Sequence, residues 1–129
     1  MIWHEEKSVI LNCKIDHGTT IHAPVWIGND VVIGKNCKIQ AFCFIPEGVT
    51  IGDNCFLGPG VVFTNDKYPP SPKEQWLKTI VEDGVVIGAN ATILPGVTLR
   101  KGCTVGAGSV VTKDVDESQV VVGNPAKPR

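Results

Sequence analysis

Residues 31–63 read VVIGKN, CKIQAF, CFIPEG, VTIGDN, CFLGPG, VVF when cut every six residues. The third residue of each six is Ile33, Ile39, Ile45, Ile51, Leu57 and then Phe63. Backwards, the same cut gives CKIDHG, TTIHAP and VWIGND, which add Ile15, Ile21 and Ile27. Forwards, after an interruption, it gives VVIGAN, ATILPG, VTLRKG, CTVGAG and SVVTKD, which add Ile87, Ile93, Leu99, Val105 and Val111. None of these fourteen residues is polar. The first residue of each six is small or β-branched, and the last three carry most of the Gly, Asn, Asp and Pro.

Side chains of a strand alternate between its two sides, so positions one and three of a hexad share one face. Each hexad is therefore a short strand with one small and one large inward residue, followed by a turn whose Gly-Asn, Gly-Asp or Pro-Gly pair supplies the backbone angles. No helix-period pattern competes over residues 13–66. A single short strand buries no core, but coils stacked about 4.8 Å apart do. Three hexads per coil put every third hexad in one column: Ile15, Ile33 and Ile51, or Ile21, Ile39 and Leu57. The expected fold is an all-β parallel β-helix, one domain over residues 1–129 with a tail from 115 to 129.

Composition excludes several roles. Hydrophobic residues make up 43% of the 129, yet no apolar run approaches the ~18 residues of a membrane-spanning helix. The start, MIWHEEKSVI, lacks a basic segment followed by an apolar one, so no secretory signal is read. A net charge of −1 argues against nucleic acid or a membrane surface as the main partner. Cys13, Cys37, Cys43, Cys55 and Cys103 all occupy the first hexad position, where a thiol is a small buried hydrophobe. Free thiols and a cytoplasmic location are expected, although Cys37 and Cys55 should be stacked neighbours. No CxxC or CxxH pair indicates zinc. His17 and His22 fall at turn positions. His22 shares a column with Gln40, to which it could hydrogen-bond.

Residues 67–78, KYPPSPKEQWLK, break the repeat with three prolines and two aromatics. A stiffened excursion from a regular scaffold is where function tends to sit. Packing on its own coil or on a neighbouring subunit is the other reading, and Trp76 suits an anchor. TIVEDG, at 79–84, rejoins the coil if Val81 is inward. That count gives fifteen hexads, or five coils, and a loop running on to residue 84 gives fourteen.

VVFTNDKYPP, VVIGANATILPGVTL, VGAGSVVTKDV and VVGNPAK, in that order, resemble the hexapeptide-repeat acetyltransferases along nearly the whole chain. KIQ, the FTN loop start and the GNPAK tail are most similar to the enzymes that N-acetylate amino sugars carried on UDP or dTDP. The resemblance implies a triangular, left-handed β-helix, a homotrimer, and acetyl-CoA lying between neighbouring helices. It places the acyl donor along Gly88, Ala89, Gly106, Ala107 and Gly108, with Lys113, Pro125 and Lys127 near the phosphates. Residues 100–129 hold five Lys/Arg against three acids, while residues 1–99 hold seven against ten, in keeping with an anionic ligand at that end. No metal is implied, and the scattered histidines do not form the three-ligand set of the carbonic anhydrases that share this architecture.

Two departures from the family pattern bear on the acceptor. After KIQ many of the sugar N-acetyltransferases have Asn-Asn, where this chain has Ala41-Phe42. Many O-acetylating relatives carry a histidine at the loop start, where this chain has Thr64-Asn65-Asp66-Lys67. A hydroxyl needs a base to remove its proton during attack, whereas a neutral amine does not, so the missing histidine favours an amine. Asn65 and Asp66 are the expected catalytic residues, with Glu47, three hexads before Asn65, assisting from the coil below. Gln40, Phe42 and Tyr68 are the expected substrate contacts. An O-acetyltransferase of saccharides or small xenobiotics, and a non-catalytic β-helix used in assembly, are the alternatives.

Overall fold

The computed structural model describes residues 1–129 as a parallel β-helix with three faces. The first face stacks Ile2–Trp3, Thr20–His22, Lys38–Ile39, Phe56–Leu57, Val86–Ile87, Thr104–Val105 and Val120–Val122. The second stacks Val9–Ile10, Trp26–Ile27, Phe44–Ile45, Val62–Phe63, Thr92–Ile93 and Val110–Val111. The third stacks Lys14–Ile15, Val32–Ile33, Val49–Ile51, Thr79–Val81 and Thr98–Leu99, with Val115 bridging to Leu99. The winding is that of the left-handed β-helix. The only helical segments are single 3-10 turns at Glu5–Lys7 and Lys73–Gln75, and no helix is long and apolar enough to cross a membrane.

The three-hexad column holds through the middle of the chain: Ile21 pairs with Ile39 and Ile39 with Leu57. Coil-to-coil hydrogen bonds run along the axis, such as Lys38 N–H to the Cys55 carbonyl at 2.9 Å. The helix has about seven turns rather than five. The additional turns escape the hexad count because the end coils differ in length. Ile2 pairs with Ile21, one position beyond three hexads, while Val9 pairs with Trp26, one position short of it. Thr104 pairs with Val120, two positions short. The tail then folds back, with Lys127–Pro128 antiparallel to Val121–Val122, and closes the C-terminal edge that an open sheet would expose.

Every third-position residue from Ile21 to Val111 is buried, in one cluster of 28 apolar side chains. First-position residues point inward with them. Where that residue is polar, a partner is usually built in: the Thr19 hydroxyl donates to the Gly34 carbonyl (2.6 Å) and Ser109 Oγ accepts the Gly123 N–H (3.1 Å). Thr79 Oγ1 is buried without a partner. His22 does not bond Gln40. Its ring stacks on Trp3, with centroids 6.3 Å apart and planes 8° apart, because the N-terminal strand brings the indole directly beside it.

All five thiols are free, four of them buried and Cys13 half-buried at the N-terminal edge. Burial pushes the Cys43 and Cys103 thiols up to about 11 and raises Cys13 to a lesser degree. In the stacked pair, Cys55 is pushed up by its hydrogen bond with Cys37 and by burial. The same contact lowers Cys37 to about 7, but its sulfur is shut off from solvent, so iodoacetamide at pH 8 is expected to add one group to the native chain, slowly and at Cys13, and five after denaturation. Intact mass before and after guanidinium distinguishes this from five thiols labelled at once.

Candidate functional site

The loop leaves the helix at the corner between the second and third faces. Phe63 still points into the core, and the Thr64 hydroxyl donates to the Ile93 carbonyl (2.9 Å), holding the departing strand on the coil above. The return is fixed by register. Thr79 pairs with Val49, a step of five hexads where the central coils take three, so the length of two hexads is looped out and Val81 re-enters in phase. Residues 79–84 thus belong to the coil.

Asn65 forms the neck of the loop. Its carbonyl accepts the Leu77 N–H at 2.8 Å, and its side-chain amide donates to the Glu47 carbonyl one coil below at 2.9 Å. Asp66 Oδ2 accepts the Ser71 N–H (2.8 Å), while Oδ1 is buried without a partner. The Glu47 carboxylate meets Lys73 Nζ at 3.1 Å, tying the loop's returning limb to the helix. Tyr68, 77% exposed, stands at the tip with Lys67 Nζ 5.7 Å from its ring centre. Of the expected residues, Asn65, Asp66 and Glu47 therefore sit together, with Tyr68 on the same loop.

Gln40 and Phe42 do not join them within one chain. They occupy the turn after Lys38–Ile39, at the corner between the first and second faces. Phe42 has a φ of 70° in the column where Gly60, Asn90 and Gly108 also adopt positive φ. A bulky side chain in this conformation costs on the order of 1 kcal/mol, and this one is 68% exposed. Burial does not account for it; the turn geometry shared by this column does.

Gly88, Ala89, Gly106, Ala107 and Gly108 line this same corner on the C-terminal coils. Coil stacking demands the first of them, because a Cβ on Gly88 would lie 2.5 Å from the Ala107 nitrogen. Gly108 differs: at φ 71° a Cβ would meet nothing within 4 Å, so its surface is open. Farther along, Arg100 is held by Asp114 (3.4 Å) and Asp116 (3.9 Å), whereas Lys113 and Lys127 carry no ion pair. Pro125 lies in the turn before the closing strand. Lys113, Pro125 and Lys127 lie on the C-terminal turns of the helix.

Sequence reasoning missed a second lining of the loop neck. Trp26 and Phe44, stacked on the second face with centroids 6.1 Å apart, form with Trp76 and Pro46 the walls of a groove of about 280 Å³. Asn29, Glu47 and Asn65 stand on its rim. A signal was present, since Trp26 and Phe44 lie three hexads apart, each at the outward second position.

Fold and loop together define a hexapeptide β-helix with one excursion near mid-chain. Residues 30–65 match the bacterial transferase hexapeptide family model (six repeats), and residues 78–113 match that of the hexapeptide repeat of succinyl-transferase, the two flanking the loop. The chain belongs to the hexapeptide-repeat transferase family. It is 47% identical over 78 residues to the 2,3,4,5-tetrahydropyridine-2,6-dicarboxylate N-acetyltransferase of Staphylococcus aureus, covering 60% of this chain and 31% of that protein. Its structure superposes with a TM-score of 0.82 on a GDP-perosamine N-acetyltransferase variant from Caulobacter crescentus, solved in complex with CoA and GDP-perosamine. That match has 26% identity and covers 95% of this chain and 53% of the other. A maltose O-acetyltransferase from Clostridium difficile superposes at 0.79 with 25% identity, covering 92% and 69%. The chain spans between 24% and 54% of the length of the curated relatives it matches.

Proposed function

We propose that this chain is an acetyl-CoA-dependent acetyltransferase that N-acetylates the amine of a nucleotide-linked amino sugar, carried on UDP or dTDP. The observation carrying the amine assignment is the neck of the loop, which presents Asn65 and Asp66 and no histidine. The three histidines all lie in the first two coils, with His22 stacked on Trp3. A neutral amine attacks the thioester carbonyl carbon, a C–N bond forms, and collapse of the tetrahedral intermediate breaks the C–S bond and releases CoA. The surplus proton on nitrogen passes to Asp66 or to the departing thiolate. Backbone N–H groups stabilise the oxyanion. Asn65 Oδ1, which has no partner in the chain, accepts from the amine and orients it. Glu47, held by Lys73, keeps the loop at the right height.

The separation of the two corners supports assembly as a closed ring of three copies. Gln40, Phe42 and the open surface at Gly108 lie on one corner, and Asn65 and Tyr68 on another, so a neighbouring copy is needed to complete the site. The likeness to the maltose enzyme favours a second reading, a hydroxyl acceptor. CoA release measured against UDP- and dTDP-linked amino sugars, with simple sugars as controls, separates them. Turnover of amines alone is expected, and turnover of hydroxyl acceptors alone overturns the assignment. Saturating CoA is also expected to raise the melting temperature, since at about 100 times its Kd a ligand adds roughly 2.7 kcal/mol. A scaffold without acyl-transfer function would show no shift.

A further inference from the structure

We infer that the groove between Trp26, Phe44 and Trp76 is the subsite for the sugar ring of the acceptor, a refinement that rests on the amino-sugar reading above. Trp26 and Phe44 stack on each other on the second face, with centroids 6.1 Å and planes 22° apart, and form one continuous aromatic wall. Both are more than one-third exposed, although the outward positions on either side of this column are filled with smaller Val or Thr side chains. Trp76, returning from the loop, stands on the other side of the groove.

The walls are apolar but the rim is not. Asn65 Oδ1 has no partner. Asn29 accepts the Asn12 N–H through its oxygen (3.2 Å), which leaves its NH2 free to donate. Glu47 uses one carboxylate oxygen on Lys73 and keeps the other. A pyranose ring matches this division, because its axial C–H bonds make one apolar face that lies on indole and phenyl rings while its hydroxyls and amine project from the edge. An acceptor, a donor and an anion around an aromatic wall suit an amino-hexose better than a purely apolar ligand, which would leave all three unused. The subsite also explains an economy of the fold: Asn65 closes the loop with its amide nitrogen and keeps its oxygen for the amine, so the ring is seated where the amine meets it.

The test uses the unmodified protein and three variants. Glucosamine and UDP-glucosamine are titrated against intrinsic tryptophan fluorescence, with UDP alone as control. Both amino sugars are expected to quench, and UDP alone is not. In steady-state assays with an accepted amino-sugar nucleotide, Trp26→Ala and Phe44→Ala are each expected to raise acceptor KM roughly tenfold. The KM for acetyl-CoA should stay unchanged. Phe56→Ala, which removes an exposed ring from the first face, is expected to move neither constant. Unchanged fluorescence at saturating amino sugar, equal quenching by UDP, or an unmoved acceptor KM each overturns the subsite. Quenching by glucosamine in a protein that releases no CoA would sustain the subsite and remove the acyl-transfer reading. Turnover with an unmoved KM would do the reverse.

Discussion

Replacing Phe63 by alanine is expected to cost about 3–5 kcal/mol and to lower the melting temperature by about 10–20 °C. Phe63 is fully buried and is the only aromatic among the third-position residues. Its layer is also distinctive. In the coil that carries the loop, the three large inward residues are Leu57, Phe63 and Val81, whereas the coil before it has Ile39, Ile45 and Ile51 and the coil after it Ile87, Ile93 and Leu99. One larger side chain is thus balanced by one smaller, as close packing of a fixed cross-section requires. Truncating Phe63 opens a cavity that the stacked coils cannot close, since each strand is held by hydrogen bonds to the coils above and below. The balance gives a sharper test. Phe63→Leu should be milder, and Val81→Ile, alone an overpacking change, should recover part of the loss when combined with it. Thermal denaturation of the two singles and the double measures this coupling, and strict additivity would refute the shared layer.

The six-residue period made the core legible because both requirements of a β-helix are local. An inward large residue and a turn recur in every hexad, so Ile21 to Val111 could be assigned without tertiary information. The ends could not. Coils that run one position long, or one or two short, destroy the phase on which the reading depends, so the first and last turns fall outside the hexad count. The return of the loop was half legible. Val81 was in phase, but only the pairing of Thr79 with Val49 decided between two counts.

The site divides in the same way. Asn65 above Glu47 followed from the three-hexad column, and the hydrogen bond between them is the structural expression of that spacing. That the bond runs to the Glu47 carbonyl and not its carboxylate, which Lys73 occupies, depends on how the loop folds back. No period specifies this. Nor could the sequence show that Phe42 sits at positive φ, since its hexad, CKIQAF, has neither Gly nor Asn to mark the turn. The aromatic groove needs Trp76 to cross the corner onto the second face, a tertiary event invisible to a pattern that ends at residue 66.

Asn65→Ala is expected to lower kcat/KM by about 10²–10³-fold, the scale seen when one preorganised polar contact at the reacting centre is lost. The same change removes the neck bond to Glu47, worth about 1 kcal/mol, so a fall in activity could reflect a loosened loop. Asn65→Asp separates the two roles. It abolishes the N–H donor and sets a carboxylate against the Glu47 carbonyl, so the neck should be weakened at least as much as by alanine. It nevertheless retains an acceptor for the amine. If Asn65 acts through Oδ1 on the acceptor, Asn65→Asp will be the less stable variant and yet the more active. If Asn65 only braces the loop, activity will follow stability and Asn65→Asp will do no better than Asn65→Ala. The thermal shift given by CoA, most of which lies along the Gly88–Gly108 corner on the proposed arrangement and meets the neck only at its sulfur end, should persist in both variants. Its loss would mean that the loop and the donor site fold as one unit, and the assignment of Asn65 to the amine would then fail with it.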